Sequence, residues 1–256
     1  MPTYKLTLEY DGTVYAGWQR QLDQPTIQQQ VEEALGRLTQ ETITVIAAGR
    51  TDAGVHAFGQ VVSFRAEKSR NSKEWLRALN GILPQDIGAK DIEEVPDDFH
   101  ARYHATTKHY EYRICNSPVK PVLDRLRVWH VPKLLDVSLM RQGASYLLGQ
   151  HDFSSFENSP TDNTNPHCTI QNLNLIQNGS HIWIQISADR FLKQMVRSIV
   201  GTLSEVGLQK RPPIQMKEIL ELKDRRKAGK TAPPHGLYLM SVDYIEDIKK
   251  KNQKRL

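Results

Sequence analysis

The chain is 256 residues long, which allows one large domain or two small ones. Hydrophobic residues make up 39% and charged residues 25% of it, a balance typical of a soluble globular protein. No apolar run approaches bilayer-spanning length and the first residues lack a signal-peptide pattern, so we expect a cytoplasmic protein without membrane contact. Its two cysteines, Cys115 and Cys168, lack metal-ligand spacing and are predicted to be reduced thiols.

The net charge of +5 is unevenly distributed. Residues 208–230 carry eight Lys or Arg against three Asp or Glu, and residues 246–256 carry five against two, so the rest is net negative. Clustered positive charge is what a polyanion-binding surface requires, because binding there releases condensed counterions. For the tail at 247–256 a solvated, frayed terminus is the favoured interpretation. For residues 223–227 a solvated face and a nucleic-acid contact stay equally open.

Hydrophobic periodicity predicts strands and helices in the first part of the chain. Polar and apolar residues alternate from Tyr4 to Tyr10, which predicts a half-buried strand. Thr26 is a predicted helix N-cap whose capping box Gln29 completes, and Ser72 is a second predicted N-cap. The predicted strands are 4–10, 44–48, 60–64 and 87–95, and the predicted helices are 27–38 and 73–82.

The second part of the chain has a similar order of elements without a demonstrable sequence repeat. Asn178-Gly179 is a strong turn signal between two apolar runs and predicts a hairpin, and a polar loop is predicted at 157–167. The predicted strands are 107–115, 127–131, 168–176, 180–188 and 237–244, and the predicted helices are 137–148, 191–206 and 214–222. This order predicts an α+β fold, with a first domain at 1–103, a second at 104–246 and a basic tail at 247–256.

A glycine-rich nonapeptide, from Gly49 to Ala57, places Asp52 between two predicted strands. A turn held between sheet elements can present a reactive group rigidly. In extended chain Arg50 would share a face with Asp52, and its guanidinium would favour the ionised carboxylate. A positioned carboxylate can act as a nucleophile at carbon. The alternative is an ordinary turn aspartate, since Asp hydrogen-bonds its own backbone.

Two further groups of residues could carry chemistry. On the predicted helix 191–206 an apolar stripe is expected in the core, and Arg190, Lys193 and Arg197 fall on the opposite side. That side is either solvated surface or a site for phosphate or carboxylate. Tyr110 and Tyr112 share one face of their strand and are either core residues or a stacking surface for a nucleobase.

These segments together resemble the tRNA pseudouridine synthase A family. The resemblance rests on Gly-Arg-Thr-Asp-Ala-Gly-Val-His-Ala at Gly49, on Lys-His-Tyr-Glu-Tyr-Arg at Lys108 and on the segment from Phe191 to Gly201. Three more matching segments, at 10–19, 99–102 and 235–239, extend it over nearly the whole chain. The chain departs from the family pattern at two positions, where it has Cys168 for the usual arginine and Arg190 for a usual small residue.

The resemblance implies a role for each site residue. Asp52 would be catalytic, Arg197 would pair with it, and Tyr110 would lie against the target base. Arg50 would join Arg197 in holding the carboxylate ionised and oriented. Tyr112 is expected to be a core residue.

The implied activity is isomerisation of uridine to pseudouridine at positions 38 to 40 of the tRNA anticodon arm. Asp52 would attack the anomeric carbon or remove the neighbouring C2′ proton, and the sequence does not choose between these routes. The resemblance also implies a homodimer and two ferredoxin-like halves, each of antiparallel or mixed sheet with helices on one side, with the active cleft between them. No metal-ligand spacing, P-loop or dinucleotide-binding string occurs, so no cofactor is expected.

Two other classes of function compete with this reading. A non-catalytic tRNA-binding protein or RNA chaperone on the same fold would explain the basic clusters equally well. It would not explain an aspartate flanked by arginine on a glycine turn. Hydrolysis through the same carboxylate lacks a second well-placed acid.

Overall fold

The computed structural model describes residues 1–68, 70–158 and 165–245. The fold is α+β, as predicted. Over the described residues no helix is long and apolar enough to cross a membrane. In chain order the elements are β1 (Thr3–Tyr10), α1 (Ile27–Thr39), β2 (Ile46–Ala47), β3 (His56–Arg65), α2 (Ser72–Ile82), β4 (Ile87–Val95), β5 (Ala105–Asn116), β6 (Trp129–Val131), α3 (Val137–Ser145), β7 (Gly149–Asp152), β8 (His167–Asn178), β9 (His181–Ala188), α4 (Met195–Gly207), α5 (Gln215–Leu222) and β10 (Leu237–Tyr244).

The chain divides into two compact units, and the first comprises Met1–Thr106 with Tyr238–Leu256. Its strands follow the order β4-β1-β3-β10, with β2 beside β3. β1 is antiparallel to both neighbours, whereas β10 runs parallel to β3. Helix α2 packs on this sheet through Trp75, whose buried ring contacts Tyr4 and Phe64 edge-on. This aromatic cluster fixes the sheet that carries the Asp52 loop.

The second unit comprises Thr107–Leu237 and has the strand order β5-β9-β8-β7, with β6 parallel to β5. The predicted hairpin joins β8 to β9, with Asn178 opposite His181. Gly179 takes the first of the two loop positions with φ of 56°, a conformation that glycine adopts without a steric penalty. Apolar faces of α3, α4 and α5 supply much of this unit's core.

Several predicted boundaries need correction. Helix α4 begins at Met195 rather than residue 191, because Gln194 adopts a left-handed conformation with φ of 58° that a helix interior excludes. The cap of α2 is Asn71, whose side chain accepts a hydrogen bond from the Glu74 amide, and not Ser72. The Thr26 cap of α1 is confirmed. The predicted strand 44–48 is reduced to the two residues of β2.

Strand β10 and the tail that follows it belong, in the predicted domain division, to the C-terminal part of the chain. Strand β10 was assigned by sequence to the second domain, and residues 238–244 of it cluster with the first unit. The domain assignment itself stays a prediction. The basic tail predicted at 247–256 and residues 159–164 of the predicted polar loop lie outside the described residues.

Candidate active site

Asp52 lies in the loop that connects β2 to β3. The amide of Ala48 donates to the carbonyl of Val61 at 2.8 Å, which ties the start of this loop to β3. The amide of Val55 donates to the Asp52 carbonyl at 3.1 Å and closes a turn that Gly54 permits with φ of 76°. The Asp52 side chain is half-buried. The turn therefore has the form that the nonapeptide predicted.

Buried polar side chains hold the residue before Asp52. Gln60 donates from Nε2 to the Gly49 carbonyl at 2.8 Å and to the Tyr10 phenol at 3.4 Å. The phenol oxygen is also hydrogen-bonded to Thr51 Oγ1 at 2.8 Å. Burial raises the pKa of Tyr10 to about 12, so the phenol stays protonated at neutral pH.

The segment that follows β1 packs directly on the same turn. The amide of Trp18 donates to the Thr51 carbonyl at 2.9 Å. At Gly17, where φ is 102°, an added Cβ would lie 2.8 Å from the Thr51 oxygen and 3.1 Å from the Asp52 carbonyl carbon. Only glycine allows this approach, so the backbone of Asp52 is enclosed on that side. The sequence placed these residues in a matching segment without indicating what they contact.

Arg50 lies on the same loop as Asp52, and its side chain is exposed. Side chains two residues apart share a face in extended chain, whereas residues 50–54 are a loop outside any strand. The expected approach of the Arg50 guanidinium to the Asp52 carboxylate stays a prediction.

Tyr110 and Tyr112 lie on β5, opposite Ile186 and Ile184 of β9. The Tyr110 ring packs edge-on against Phe191 with centroids 5.0 Å apart. Tyr110 is buried, with 8% of its surface exposed, whereas Phe191 is half-buried. Tyr112 is fully buried, and its hydroxyl donates to the Pro233 carbonyl at 2.7 Å. Burial raises the pKa of Tyr112, with the nearby Arg197 charge opposing part of that rise. The core assignment of Tyr112 thus agrees with its surroundings.

Arg197 lies in the first turn of α4 and is tied to one loop residue in two ways. Its Nε donates to the Ala232 carbonyl at 2.8 Å, and its own carbonyl accepts from the Ala232 amide at 3.0 Å. Burial and the Arg197 charge both lower the pKa of His235 in the same loop. This loop, residues 229–236, therefore fixes where the guanidinium of Arg197 stands.

Arg225 anchors the start of that loop, a role that sequence reasoning missed. The guanidinium donates to the Gly229 carbonyl at 3.1 Å and to Thr231 Oγ1 at 2.7 Å, and its Nε donates to Asn158 Oδ1 at 2.9 Å. Burial lowers the pKa of this half-buried group. The sequence leaves solvated surface and nucleic-acid contact open for the basic cluster 223–227. Arg225 has a structural role, because the five N–H groups of a guanidinium can donate to several oxygen acceptors at once.

Cys168, one of the two departures from the family pattern, lies at the start of β8 and is 1% exposed. Desolvation raises the pKa of its thiol to about 12, although the charge of Arg190, the second departure, opposes that rise. Backbone amides of Thr169 and Arg190 both donate to Asp189 Oδ1, which ties the two departing positions to one carboxylate. The two departures are therefore neighbours in space.

We expect the native thiols to resist alkylation. Cys168 and Cys115 are both buried with raised pKa values, and the thiolate is the reactive form. Incubation with iodoacetamide at pH 8, followed by intact-mass measurement, should show no added groups in the folded protein and two in urea. Rapid labelling of one thiol in the folded protein would contradict the burial of that residue.

The predicted site residues are divided between the two units. Asp52 and Arg50 belong to the first unit, and Tyr110 and Arg197 belong to the second. In the described ranges, no group of three or more His, Cys, Asp or Glu is arranged to hold a metal ion. The first unit carries its two predicted site residues on the loop before β3, and the second carries its two on β5 and α4.

Comparison with known proteins identifies the family. The model of the tRNA pseudouridine synthase family matches residues 7–104 and 144–245. The tRNA pseudouridine synthase A of Anaplasma marginale is 45% identical over 245 residues, which cover 94% of this chain and 99% of that protein. The enzymes of that name from Colwellia psychrerythraea and Francisella philomiragia are 43% and 42% identical, each over 96% of this chain and 95% of their own. The chain belongs to the tRNA pseudouridine synthase family and is an isomerase.

Proposed function

We propose that this enzyme converts uridine to pseudouridine at positions 38 to 40 in the anticodon arm of tRNA, with Asp52 as the catalytic group. The observation that carries this proposal is the fixed turn of Asp52. Its backbone is bonded or enclosed through Thr51 on one side and Val55 on the other, so the half-buried carboxylate has a defined position. A reactive group held on a rigid scaffold is what catalysis at a sugar carbon requires.

The isomerisation needs only proton and bond exchange within the nucleotide. The Asp52 carboxylate either attacks C1′ and displaces uracil through N1, or removes the C2′ proton to give a glycal. The freed uracil turns so that C5 faces C1′, and a C5–C1′ bond replaces the N1–C1′ bond. The proton on C5 is lost and N1 gains one. In the first route Asp52 leaves C1′ as the carboxylate, and in the second it returns its proton to C2′, so Asp52 ends in its ionised form in both. The reaction is redox-neutral.

Arg50, Tyr110 and Arg197 are proposed as substrate-binding residues. The exposed Arg50 guanidinium stands two residues from Asp52, which suits a contact with the RNA backbone. Tyr110 is buried at its edge-on contact with the half-buried Phe191 ring, and in this proposal it stacks on the extruded base. Arg197, held by Ala232, supplies a fixed positive charge for an anionic partner, and in this proposal that partner is the Asp52 carboxylate.

Binding the anticodon arm requires that the target uridine leave the helical stack. That step costs a few kcal/mol, which stacking and phosphate contacts must offset. The family resemblance also implies a homodimer in which both subunits contact the tRNA, and we include this assembly in the proposal.

The position of modification is tested with tRNA transcripts carrying tritium at C5 of uridine. Release of one tritium per modified uridine is expected from a transcript with uridine at position 39. Matched transcripts with cytidine at positions 38 to 40 should release none. Release that persists in the cytidine transcript would move the target outside the anticodon arm, and tRNA binding without any release would favour a non-catalytic tRNA-binding protein.

A further inference from the structure

His56 is a buried residue of the glycine-rich nonapeptide for which the proposed chemistry has no use. It is the first residue of β3 and lies four residues after Asp52. Its side chain is 3% exposed, and its ring stacks on that of Tyr238 with centroids 4.8 Å apart. A buried imidazole requires hydrogen-bond partners, and the nature of those partners decides its protonation state.

The Nδ1 atom of His56 has two polar neighbours at the same distance. The amide of Gly12 donates to it at 3.1 Å, and Asp11 Oδ1 also lies 3.1 Å away. A nitrogen that accepts the Gly12 proton carries none of its own and cannot donate to Asp11. Asp11 Oδ1 accepts instead from the amide and the hydroxyl of Thr13, at 3.0 and 2.5 Å. With the Gly12 bond made at Nδ1, we expect the neutral tautomer of His56, with its proton on Nε2.

Gly12 in turn contacts the far end of the Asp52 turn. An added Cβ at Gly12 would lie 2.0 Å from the Val55 carbonyl oxygen and 2.7 Å from its carbon, so the two backbones are in direct contact. The amide of Val55 closes the turn onto the Asp52 carbonyl. Gly17 packs on the near end of the same turn through Thr51. The segment 12–17 therefore contacts the turn at both ends, and His56 is hydrogen-bonded to its first residue.

We infer that His56 is a positioning residue for Asp52. By accepting the Gly12 amide at Nδ1, it holds segment 12–17 against the turn and so fixes where the carboxylate stands. Without the acceptor, the Gly12 amide is buried beside a carboxylate and a ring carbon with no partner, and the segment must shift to satisfy it. This inference rests on the proposed catalytic role of Asp52.

Two substitutions at His56 distinguish the effect of losing the hydrogen-bond acceptor from the effect of losing the ring. His56→Asn places an amide oxygen near the position of Nδ1 and keeps the acceptor, whereas His56→Phe keeps a ring for Tyr238 and removes the acceptor. We expect His56→Phe to lower kcat about 100-fold with the KM for tRNA unchanged, and His56→Asn to recover most of that loss, because small displacements of a reacting group are costly. Equal activity of His56→Phe and wild type, or equal impairment of both variants, would overturn the inference.

A measurement on the wild-type protein does not depend on how the variants fold. In protein labelled with ¹⁵N-histidine, two-bond proton–nitrogen correlations report which ring nitrogen is protonated, and the His56→Asn spectrum identifies the His56 signals. We expect an unprotonated Nδ1 and a protonated Nε2 at neutral pH. A proton on Nδ1 would overturn the inference even if tritium release is normal. Absence of tritium release from wild type would instead reject the proposed function while leaving the tautomer as measured.

Discussion

Asp52→Ala is expected to abolish tritium release from C5-labelled tRNA while leaving most of the tRNA affinity intact. The carboxylate is the reacting group in both routes considered, and the loss of a general base alone lowers rates about 10²–10⁴-fold. tRNA affinity depends mainly on phosphate contacts from Lys and Arg, which the substitution does not touch. Single-turnover tritium release and filter binding of the same tRNA measure the two properties separately.

Asp52→Asn tests the role of the carboxylate charge, because the amide has nearly the same shape and no charge. An amide neither attacks C1′ nor removes a proton, so this variant should be as inactive as Asp52→Ala. Asp23→Asn is the matched control, because Asp23 is an exposed loop aspartate of the same unit and Asn tolerates its φ of 60°. Wild-type release by Asp52→Asn would remove the carboxylate from the mechanism, and a large loss in Asp23→Asn would point to a general effect of charge on tRNA binding.

Long elements with a regular hydrophobic pattern were predicted most accurately. Strands β4 and β10 have the predicted bounds of 87–95 and 237–244, because alternation with one buried face is a direct consequence of strand geometry. The start of α4 was wrong because the apolar pattern continues through residues 191–194, and it gives no sign that Gln194 takes a left-handed conformation. Boundaries set by backbone conformation are not visible in a hydrophobic pattern.

At the candidate site, the Asp52 turn was predictable from the sequence, and the side chains that hold it in place were not. The turn of Asp52 followed from its glycines and from the strand-like residues on either side. Its supports did not, since Tyr10, Gln60 and His56 reach the turn through tertiary contacts between segments distant in sequence. The shared face expected for Arg50 and Asp52 stays a prediction, because residues 50–54 form a loop and spacing of two places side chains on one face only in regular extended structure. Tertiary hydrogen bonds thus decide how the motif is held.

Gly201→Ala is expected to destabilise the second unit strongly. Gly201 lies inside α4, where an added Cβ would stand 1.7 Å from the Lys230 carbonyl oxygen and 3.2 Å from the Ala232 amide. Alanine gains up to about 1 kcal/mol of helix propensity over glycine. Overpacking against a backbone carbonyl costs about 1–3 kcal/mol or more, so the steric term wins.

The loop that Gly201 contacts also holds Arg197 through Ala232, so the same substitution should lower activity as well as stability. We expect the melting temperature to fall by roughly 4–8 °C, which corresponds to about 2 kcal/mol for a chain of this size. Gly81→Ala in α2 is the matched control, because its added Cβ meets no atom within 4 Å and should leave the melting temperature unchanged or raise it. If both variants have the melting temperature of the wild type, the close packing of α4 on the Lys230 loop is wrong. If only Gly201→Ala loses stability and tritium release together, the helix and its loop act as one support for the Arg197 guanidinium.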